Sequence, residues 1–322
     1  MLRKLRLVWK SRGIFSNWLQ LCLDYLLGKS ELRVKCRDGE ATISRKAYVN
    51  MVRAYYYGVF KSMSCGVSFK FDGFELPGTW LESILALPCA KRLKACFDED
   101  SVKLTYFNHE IILPKDAAAP FMYDILCENF GGAYDDFNVK DRVVIDIGAG
   151  IGDTPVMFAA RGAKRVIALE PFPAIYRKAV KVIQINNFEG KVTLLNAALG
   201  NADKVVEIED CDFEAYLLFS PTAVTCRGQK TAIPIYSLKT LTEKFESEEL
   251  VLKVDCEGCE YEALTDVETL KKFKEIAVEY HEGPQPLIDI LRKAGFATKL
   301  SPIKSLKIPI ERQGYIIAFP ER

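Results

Sequence analysis

From residue 142 onward, short apolar runs alternate with stretches of helical periodicity. The runs are rich in β-branched residues and predict five strands, at 142–147, 165–170, 191–197, 250–255 and 275–281. Strands that alternate with helical segments are typical of a parallel sheet with crossover helices. We therefore predict that residues 121–322 form one α/β domain around a doubly wound, mostly parallel sheet.

Further elements extend this pattern. Alternating stretches at 204–208 and 231–236 predict a hairpin between the third and fourth strands. Residues 286–294 and 314–319 predict a last helix and a last strand.

Residues 1–120 follow a different pattern and predict an α+β accessory region. Alternating residues at 32–44 and 102–114 flank polar turns, as in β-hairpins. Ahead of them, apolar residues recur at helical spacing between residues 14 and 27, with polar residues on the opposite face. The apolar positions are Phe15, Trp18, Leu19, Cys22 and Leu26, and the polar positions are Asn17, Gln20 and Asp24.

Composition narrows the class of protein. Of 322 residues, 49% are hydrophobic and 27% charged, which is typical of a folded chain with a large core. The ten cysteines are scattered through apolar segments rather than packed into a small disulfide framework, so we predict a reducing, cytoplasmic location. With 44 basic and 43 acidic residues, the net charge of +1 gives no reason to expect a nucleic-acid partner. No run approaches the ~20 apolar residues of a membrane span.

The N-terminus departs from this balance. Basic residues precede the first predicted helix, at Arg3, Lys4, Arg6, Lys10 and Arg12. Cations followed by an amphipathic helix favour peripheral contact with a membrane through residues 1–28. Packing of the same apolar face on the accessory region, with the cations in a solvated tail, is the alternative interpretation, and it is the commoner role of an amphipathic helix in a soluble protein.

A glycine-rich turn closes the first strand of the sheet. Asp146 lies at the end of that strand, and Gly148, Gly150 and Gly152 follow at alternate positions. Glycines there allow a tight turn and close approach of a ligand, and the following helix aims free amides at a carboxylate or phosphate. A dinucleotide fingerprint would place its third glycine at position 153, which is occupied by Asp153.

The ends of the second and third strands supply further candidates for a nucleoside. Glu170 stands where a doubly wound fold places the carboxylate that binds both ribose hydroxyls. Phe172 is positioned to cover an adenine face. Asn196 and Ala197 are predicted to flank the adenine edge, although an asparagine at a strand end is also a common turn former.

Ionisable residues cluster after the fourth and fifth strands. Asp255 and Glu257 follow the fourth strand and His281 follows the fifth, at the carboxyl edge where open α/β sheets bind ligands. One of the three is predicted to be a general base, with two alternatives left open: His281 as a structural hydrogen-bonder and Asp255 as a ligand of a cofactor amino group. Cys256 and Cys259 form C-x-x-C, but the surrounding carboxylates disfavour a reactive thiolate, and we predict no metal.

The segments I-D-I-G-A-G-I-G-D (145–153), E-P-F (170–172) and L-K-V-D-C-E-G-C-E (252–260) together resemble the FkbM family of S-adenosylmethionine-dependent methyltransferases. The similarity extends over about residues 130–319. It implies a Rossmann-like class I methyltransferase fold, S-adenosylmethionine as cofactor, and usually O-methylation of a sugar, polyketide or related small molecule. Two other hypotheses stay open, an NAD-type oxidoreductase and a module that binds the cofactor without catalysis. The acceptor and the oligomeric state are not implied.

The segment Phe130–Tyr134 precedes the first strand of the sheet. It either covers the bound cofactor or is an ordinary packed loop.

Overall fold

The computed structural model describes residues 9–66, 68–214, 222–243, 248–302 and 310–321. The basic residues Arg3, Lys4 and Arg6 lie outside the described residues. The chain forms two compact units, one of Met1–Leu104 with Pro114–Leu126 and the other of Thr105–Leu113 with Cys127–Arg322. Among the described residues, no helix is long and apolar enough to cross a bilayer.

The first unit is a mixture of helices and short strands. Its helices are α1 (Trp18–Leu26), α2 (Arg45–Tyr56), α3 (Leu87–Leu93) and α4 (Lys115–Ala118), with 3₁₀ turns at Ser11–Gly13, Gly78–Ala86 and Ala119–Phe121. Its strands are β1 (Glu31–Lys35), β2 (Glu40–Ser44), β3 (Met63–Cys65), β4 (Ser68–Phe71), β5 (Phe74–Pro77) and β6 (Cys96–Phe97). The strands β1 and β2 pair antiparallel, which confirms the predicted hairpin at 32–44. Ser44 then begins α2, because its hydroxyl accepts a hydrogen bond from the Ala47 amide.

Helix α1 buries a different face from the one its sequence predicts. Leu21 and Tyr25 are buried, and so is Asp24, which was assigned to the polar side. Burial of this carboxylate is tolerated because the Lys29 ammonium lies 2.7 Å from it. Several of the predicted apolar positions of α1 therefore remain outside the core.

The cysteines correct one prediction. Cys36, at the end of β1, is disulfide-bonded to Cys65, at the end of β3, and Cys256 is bonded to Cys259. The interpretation of the cysteines as reduced thiols was wrong for these residues, because folding brings the Cα atoms of Cys36 and Cys65, 29 residues apart in sequence, to within 5.8 Å. The argument for a reducing compartment falls with it, and the cytoplasmic location stays a prediction without that support.

Strands β7 (Ser101–Tyr106) and β8 (His109–Pro114) follow, joined by a two-residue turn with positive φ at Phe107 and Asn108. A π-helical segment, Asp124–Ala133, precedes the central sheet.

The second unit is organised by a seven-stranded sheet in the order β11-β10-β9-β15-β16-β18-β17. The strands are β9 (Val143–Ile147), β10 (Arg165–Leu169), β11 (Val192–Leu195), β15 (Leu250–Val254), β16 (Phe273–Tyr280), β17 (Phe296–Pro302) and β18 (Gly314–Pro320). Strands β9, β10, β11, β15 and β16 are parallel to one another, and β18 runs antiparallel between β16 and β17. This is the predicted doubly wound, mostly parallel α/β fold.

Helices α5 (Asp153–Ala160), α6 (Pro173–Ile185), α7 (Leu238–Glu243), α8 (Glu260–Ala263), α9 (Val267–Leu270) and α10 (Gln285–Lys293) connect these strands. The predicted hairpin between the third and fourth strands is present as β13 (Lys204–Glu214) and β14 (Thr222–Ser237), which pair antiparallel, and β12 (Ala198–Gly200) pairs with β14.

The sheet positions the candidate residues through its strand order. Strands β9 and β15 are fully buried and lie side by side, with Ile147 opposite Val254. The chain leaves β9 towards β10 on one side and leaves β15 towards β16 on the other, so the loops after β9 and β15 meet at the topological switch point.

Candidate active site

The loop of residues 148–152, here called the glycine loop, leaves β9 in a conformation that favours glycine. Gly148, Gly150 and Gly152 have φ of 76°, 53° and 90°. A Cβ on Gly148 would lie 1.7 Å from the backbone oxygen of Asp255, so glycine is required for the loop after β15 to approach this closely. A Cβ on Gly150 would meet no atom nearer than 3.9 Å. The space over Gly150 is therefore open to a ligand.

Glu170 lies directly across from this open space. It follows β10, and its buried carboxylate accepts hydrogen bonds from the amides of Gly150 (3.0 Å) and Phe172 (2.9 Å), one on each oxygen. Burial raises the pKa of Glu170 to about 8, against the effect of these two amides. In the ionised form each carboxylate oxygen can accept a second hydrogen bond, so Glu170 can bind a diol once it has lost its proton.

Of the other residues predicted at this edge, Phe172 is partly exposed, whereas Asn196 and Ala197 are engaged within the protein. Phe172 is 37% exposed at the start of α6, so part of its surface faces solvent. Asn196 uses its side-chain amide within the protein, donating to the backbone oxygens of Glu170 (2.9 Å) and Pro171 (2.8 Å). It thereby fixes the turn that carries Glu170. Ala197 is fully buried in the core.

Lys253 is a residue to which sequence analysis assigned no role. It is fully buried in β15, and its ammonium lies 3.1 Å from a carboxylate oxygen of Asp146 and 3.8 Å from one of Asp255. It also donates to the backbone oxygen of Gly148 (2.7 Å). Although burial lowers the pKa of a lysine, the two carboxylates raise that of Lys253, so it stays charged. The available signal was a single cation in an otherwise apolar strand.

Residues 255–260, here called the acidic loop, follow β15. Its backbone is tied to β9, because the Asp255 amide donates to Ile147 (3.1 Å). Glu257 has φ of 58°, an uncommon conformation for a residue with a side chain, and such strain clusters at functional sites. The Cys256–Cys259 disulfide closes the loop around Glu257.

His281 joins this loop to the end of β16. Its Nδ1 lies 3.0 Å from the buried Glu260 carboxylate, and its Nε2 lies 3.4 Å from Glu257 and 3.7 Å from Glu279. Burial of the ring lowers the pKa of His281, but the hydrogen bond to Glu260 and the neighbouring charges of Asp255, Glu279 and Glu257 raise it to about 10. At neutral pH His281 is therefore a cation, and a protonated imidazole cannot accept a proton.

Glu257, unlike His281, is partly exposed and can accept a proton near neutral pH. Its side chain is 45% exposed, and partial burial together with the adjacent Asp255 charge raises its pKa to about 7. A carboxylate that titrates near neutral pH is suited to general base catalysis.

Two further residues face this group of carboxylates. Glu279 is buried at the end of β16 and accepts a hydrogen bond from Gln313 (3.1 Å). Tyr134 is buried, its hydroxyl has no hydrogen-bond partner among the described residues, and burial followed by the charge of Asp255 raises its pKa well above the usual range. The Phe130–Tyr134 segment thus brings a polar group towards the acidic loop.

A metal ion is chemically conceivable here. Asp255, Glu257 and His281 each offer one ligand atom, and these atoms lie within 4.8 Å of one another. A histidine must be neutral to ligate a metal, so a cation would first have to displace the His281 proton.

Comparison with known proteins assigns this half of the chain. Residues 146–297 match the family described as "Methyltransferase FkbM domain". The chain carries an FkbM methyltransferase domain. The match begins at Asp146 and includes the glycine loop, Glu170, the acidic loop and His281. It confirms the predicted family, the Rossmann-like class I fold and S-adenosylmethionine as the cofactor of the domain, and it does not support the oxidoreductase hypothesis.

Individual relatives are more distant from this FkbM domain protein. The chain is 37% identical to protein arginine N-methyltransferase 1 of Saccharomyces cerevisiae over 60 residues, which is 19% of this chain and 17% of that protein. The chain thus spans about a sixth of the length of that curated relative.

Solved structures similar to it include two methyltransferases. The precorrin-6y C5,15-methyltransferase of Geobacter metallireducens has 12% identity and a TM-score of 0.37 over 60% of this chain and 87% of that chain. A putative tRNA methyltransferase of Streptococcus pneumoniae in complex with S-adenosyl-L-methionine has 13% identity and a TM-score of 0.38, over 58% of this chain and 70% of that chain.

The residues at the glycine loop fit the cofactor chemically. S-adenosylmethionine carries a ribose diol and an adenine ring, and the site has a two-oxygen acceptor in Glu170, a half-exposed ring in Phe172 and open space over Gly150. The carboxylate excess in the acidic loop suits a ligand that carries a positive charge.

Proposed function

We propose that residues 121–322 transfer a methyl group from S-adenosylmethionine to an oxygen of a small-molecule or sugar-type acceptor, with Glu257 as the general base. The observation that carries this proposal is the position and pKa of Glu257. Its half-exposed carboxylate has a pKa of about 7 and lies two residues after Asp255, whose backbone contacts Gly148. A hydroxyl acceptor must lose its proton during transfer, and Glu257 is the group near the switch point whose pKa matches that task.

On the donor side, we assign binding to the glycine loop and its surroundings. The start of α5 would hold the cofactor's carboxylate, Glu170 its ribose hydroxyls and Phe172 its adenine face. Asp146 acts through Lys253, whose ammonium it neutralises, and Asn196 and Ala197 shape the turn beside Glu170. When bound, S-adenosylmethionine supplies an electrophilic methyl group on a sulfonium.

On the acceptor side, Glu257, His281 and Asp255 have different roles. The acceptor oxygen forms a bond to the methyl carbon as the carbon–sulfur bond breaks, and its proton passes to Glu257. Protonated His281 keeps Glu257 and Glu260 in place by charge and hydrogen bonding. Asp255, held 3.8 Å from Lys253, is left to orient the acceptor hydroxyl or the cofactor's amino group.

Charge at the site supports the acceptor class. The carboxylates of Asp255 and Glu257 are 25% and 45% exposed, whereas the two cations of this group, Lys253 and His281, are 0% and 15% exposed, so the accessible part of the site is acidic. Such a surface repels phosphates, so we infer that the acceptor is a neutral hydroxyl compound rather than a nucleic acid.

The same carboxylates favour a second candidate, a cationic nitrogen acceptor. A guanidinium or amine would be attracted by Asp255 and Glu257, and the short resemblance to an arginine methyltransferase is compatible with that chemistry. The two candidates differ in the atom that is methylated.

A labelled-methyl assay tests the proposal. The full-length protein is incubated with methyl-labelled S-adenosylmethionine and cell extract, and the lipid, saccharide, small-molecule, protein and nucleic-acid pools are counted separately. Label on oxygen in the small-molecule or saccharide pool is the expected result, and mass spectrometry of the product distinguishes O-methyl from N-methyl. Label confined to the protein or nucleic-acid pool would contradict the proposal, and binding without any labelled product would indicate a module without catalysis.

A further inference from the structure

Helix α1 exposes a row of large apolar side chains. Leu19, Leu23, Leu26 and Leu27 are 62%, 57%, 54% and 77% exposed. They recur at the spacing of one helix face, while Leu21 and Tyr25 on the opposite face are buried. Four neighbouring exposed leucines form an apolar surface of the kind that marks an interaction site rather than scattered surface residues.

Aromatic and basic side chains continue this surface. Trp9 is 54% exposed and packs edge-on against Trp18 at the start of α1, with ring centroids 5.6 Å apart. Arg12 lies 4.3 Å from the centre of the Trp9 ring, and Lys10 lies over the exposed ring of Tyr56 at the end of α2. We call this surface the N-terminal patch, and it consists of Trp9, Lys10, Arg12, Trp18, Leu19, Leu23, Leu26, Leu27 and Tyr56.

The charge of this segment has one sign. Residues 1–30 contain the cations Arg3, Lys4, Arg6, Lys10, Arg12 and Lys29 and a single acidic residue, Asp24. Asp24 is buried and paired with Lys29, so it adds no exposed carboxylate to the patch. The segment is therefore apolar and cationic at the same time.

We infer that the N-terminal patch binds an anionic lipid surface. Leucines on one helix face bury into the acyl boundary, tryptophan and tyrosine favour the headgroup level, and lysine and arginine attract anionic headgroups. With nine residues, α1 is about 13 Å long and lies along such a surface rather than across it.

The same features disfavour a second copy of the chain as the occupant. Two N-terminal patches brought face to face would place cations against cations with no exposed carboxylate from residues 1–30 to pair with them. The inference is independent of the acceptor, because no residue of the N-terminal patch belongs to the candidate active site.

Co-sedimentation with vesicles tests this inference. The full chain is mixed with vesicles of neutral phosphatidylcholine or of phosphatidylcholine with anionic phosphatidylglycerol, at low and at high salt. We expect binding to the anionic vesicles that weakens with salt, and little binding to the neutral ones. Substitution of both Leu23 and Leu27 by Glu should weaken binding at least ~10-fold, and Arg12→Ala by up to ~5-fold.

The matched control is Val205→Glu, which places the same charge at an exposed apolar position of β13. It should bind vesicles like the unmodified protein, and circular dichroism should show that all variants keep the fold. Equal sedimentation of the leucine variant and the control would overturn the inference, as would no binding to anionic vesicles. Sedimentation velocity that showed a dimer lost in the leucine variant would assign the patch to a second copy instead.

Discussion

The glycine loop and the acidic loop meet at the ends of adjacent strands, yet they present opposite chemistry. The glycine loop offers open space over Gly150, beside the Glu170 carboxyl, and its conformation depends on positive φ at its glycines. The acidic loop offers carboxylate side chains held around one protonated histidine. In the proposed function, cofactor binding therefore falls to one loop and proton removal to the other, so a change in one loop should affect one step and spare the other.

The largest difference between the effect on the reaction rate and the effect on cofactor binding is expected for Glu257→Gln. Loss of a general base typically lowers the rate by ~10²- to 10⁴-fold, while cofactor binding at the glycine loop persists. In the unmodified protein, kcat/KM should rise with pH through about 7, because the base must be deprotonated, and the variant should lack this rise. Glu262→Gln, an exposed carboxyl on α8, is the matched control. Unchanged turnover in the Glu257 variant would remove Glu257 from the mechanism.

Replacement of Lys253 by Met should remove the ammonium that contacts both loops, at the Gly148 backbone oxygen and at the Asp255 carboxylate. Removal of this buried cation leaves Asp146 and Asp255 without their partner, which for buried pairs costs ~3–5 kcal/mol of unfolding free energy. Chemical denaturation measures the loss. Lys164→Met removes the exposed ion pair with Glu248 and should cost less than ~1 kcal/mol. Similar values for the two variants would show that Lys253 is not a structural counter-ion.

Two alanine substitutions in the glycine loop sharpen the contrast within it. Gly148→Ala forces a Cβ onto the backbone of Asp255 and should destabilise the protein by ~3 kcal/mol or more, because neither chain segment can move without breaking its strand pairing. Gly150→Ala meets open space and carries only the cost of its positive φ, ~1–2 kcal/mol. Thermal or urea unfolding of both variants checks the order, and equal destabilisation would contradict the close approach of the two loops.

A further expected effect concerns the pH dependence of stability and His281. Its pKa of about 10 lies above the unfolded value of 6.5, so its contribution to stability is complete below pH 6.5 and is lost as pH rises towards 10. Urea unfolding at pH 6 and pH 9.5 should show a smaller loss of stability at high pH in His281→Asn than in the unmodified protein. His109→Asn, at an exposed position of β8 outside the candidate site, is the control. An unchanged pH dependence in the His281 variant would indicate a neutral imidazole.

Sequence analysis identified the glycine loop more completely than the acidic loop, for a physical reason. Turns that need positive φ are recognisable in the local sequence from their glycines. The strand pattern around Gly148 and Glu170 then predicted that both residues lie at the edge of the sheet. The state of His281 depends on Glu260 and Glu279, which come from two elements, so its charge could not be read from its own position. An intrinsic pKa near neutral suggested a base, whereas the folded environment makes His281 a cation.

Long-range contacts account for the other differences. The Cys36–Cys65 bond and the hydrogen bonds of the Asn196 amide depend on residues brought together only by folding. On α1, the period of apolar residues was visible, but Leu21 and Tyr25 form the buried face, and Leu19 and Leu26 are exposed. The roles assigned to the individual site residues stay predictions.

The division of roles between the loops is tested most directly by calorimetric titration of S-adenosylmethionine into the unmodified protein, Glu170→Ala and Glu257→Gln. At pH 9, where Glu170 is ionised, the account predicts that Glu170→Ala weakens binding by ~2–4 kcal/mol, through loss of charge-assisted hydrogen bonds to the ribose, and that Glu257→Gln binds within a factor of about three of the unmodified protein. Unchanged affinity in Glu170→Ala, or an equal loss in both variants, would contradict it.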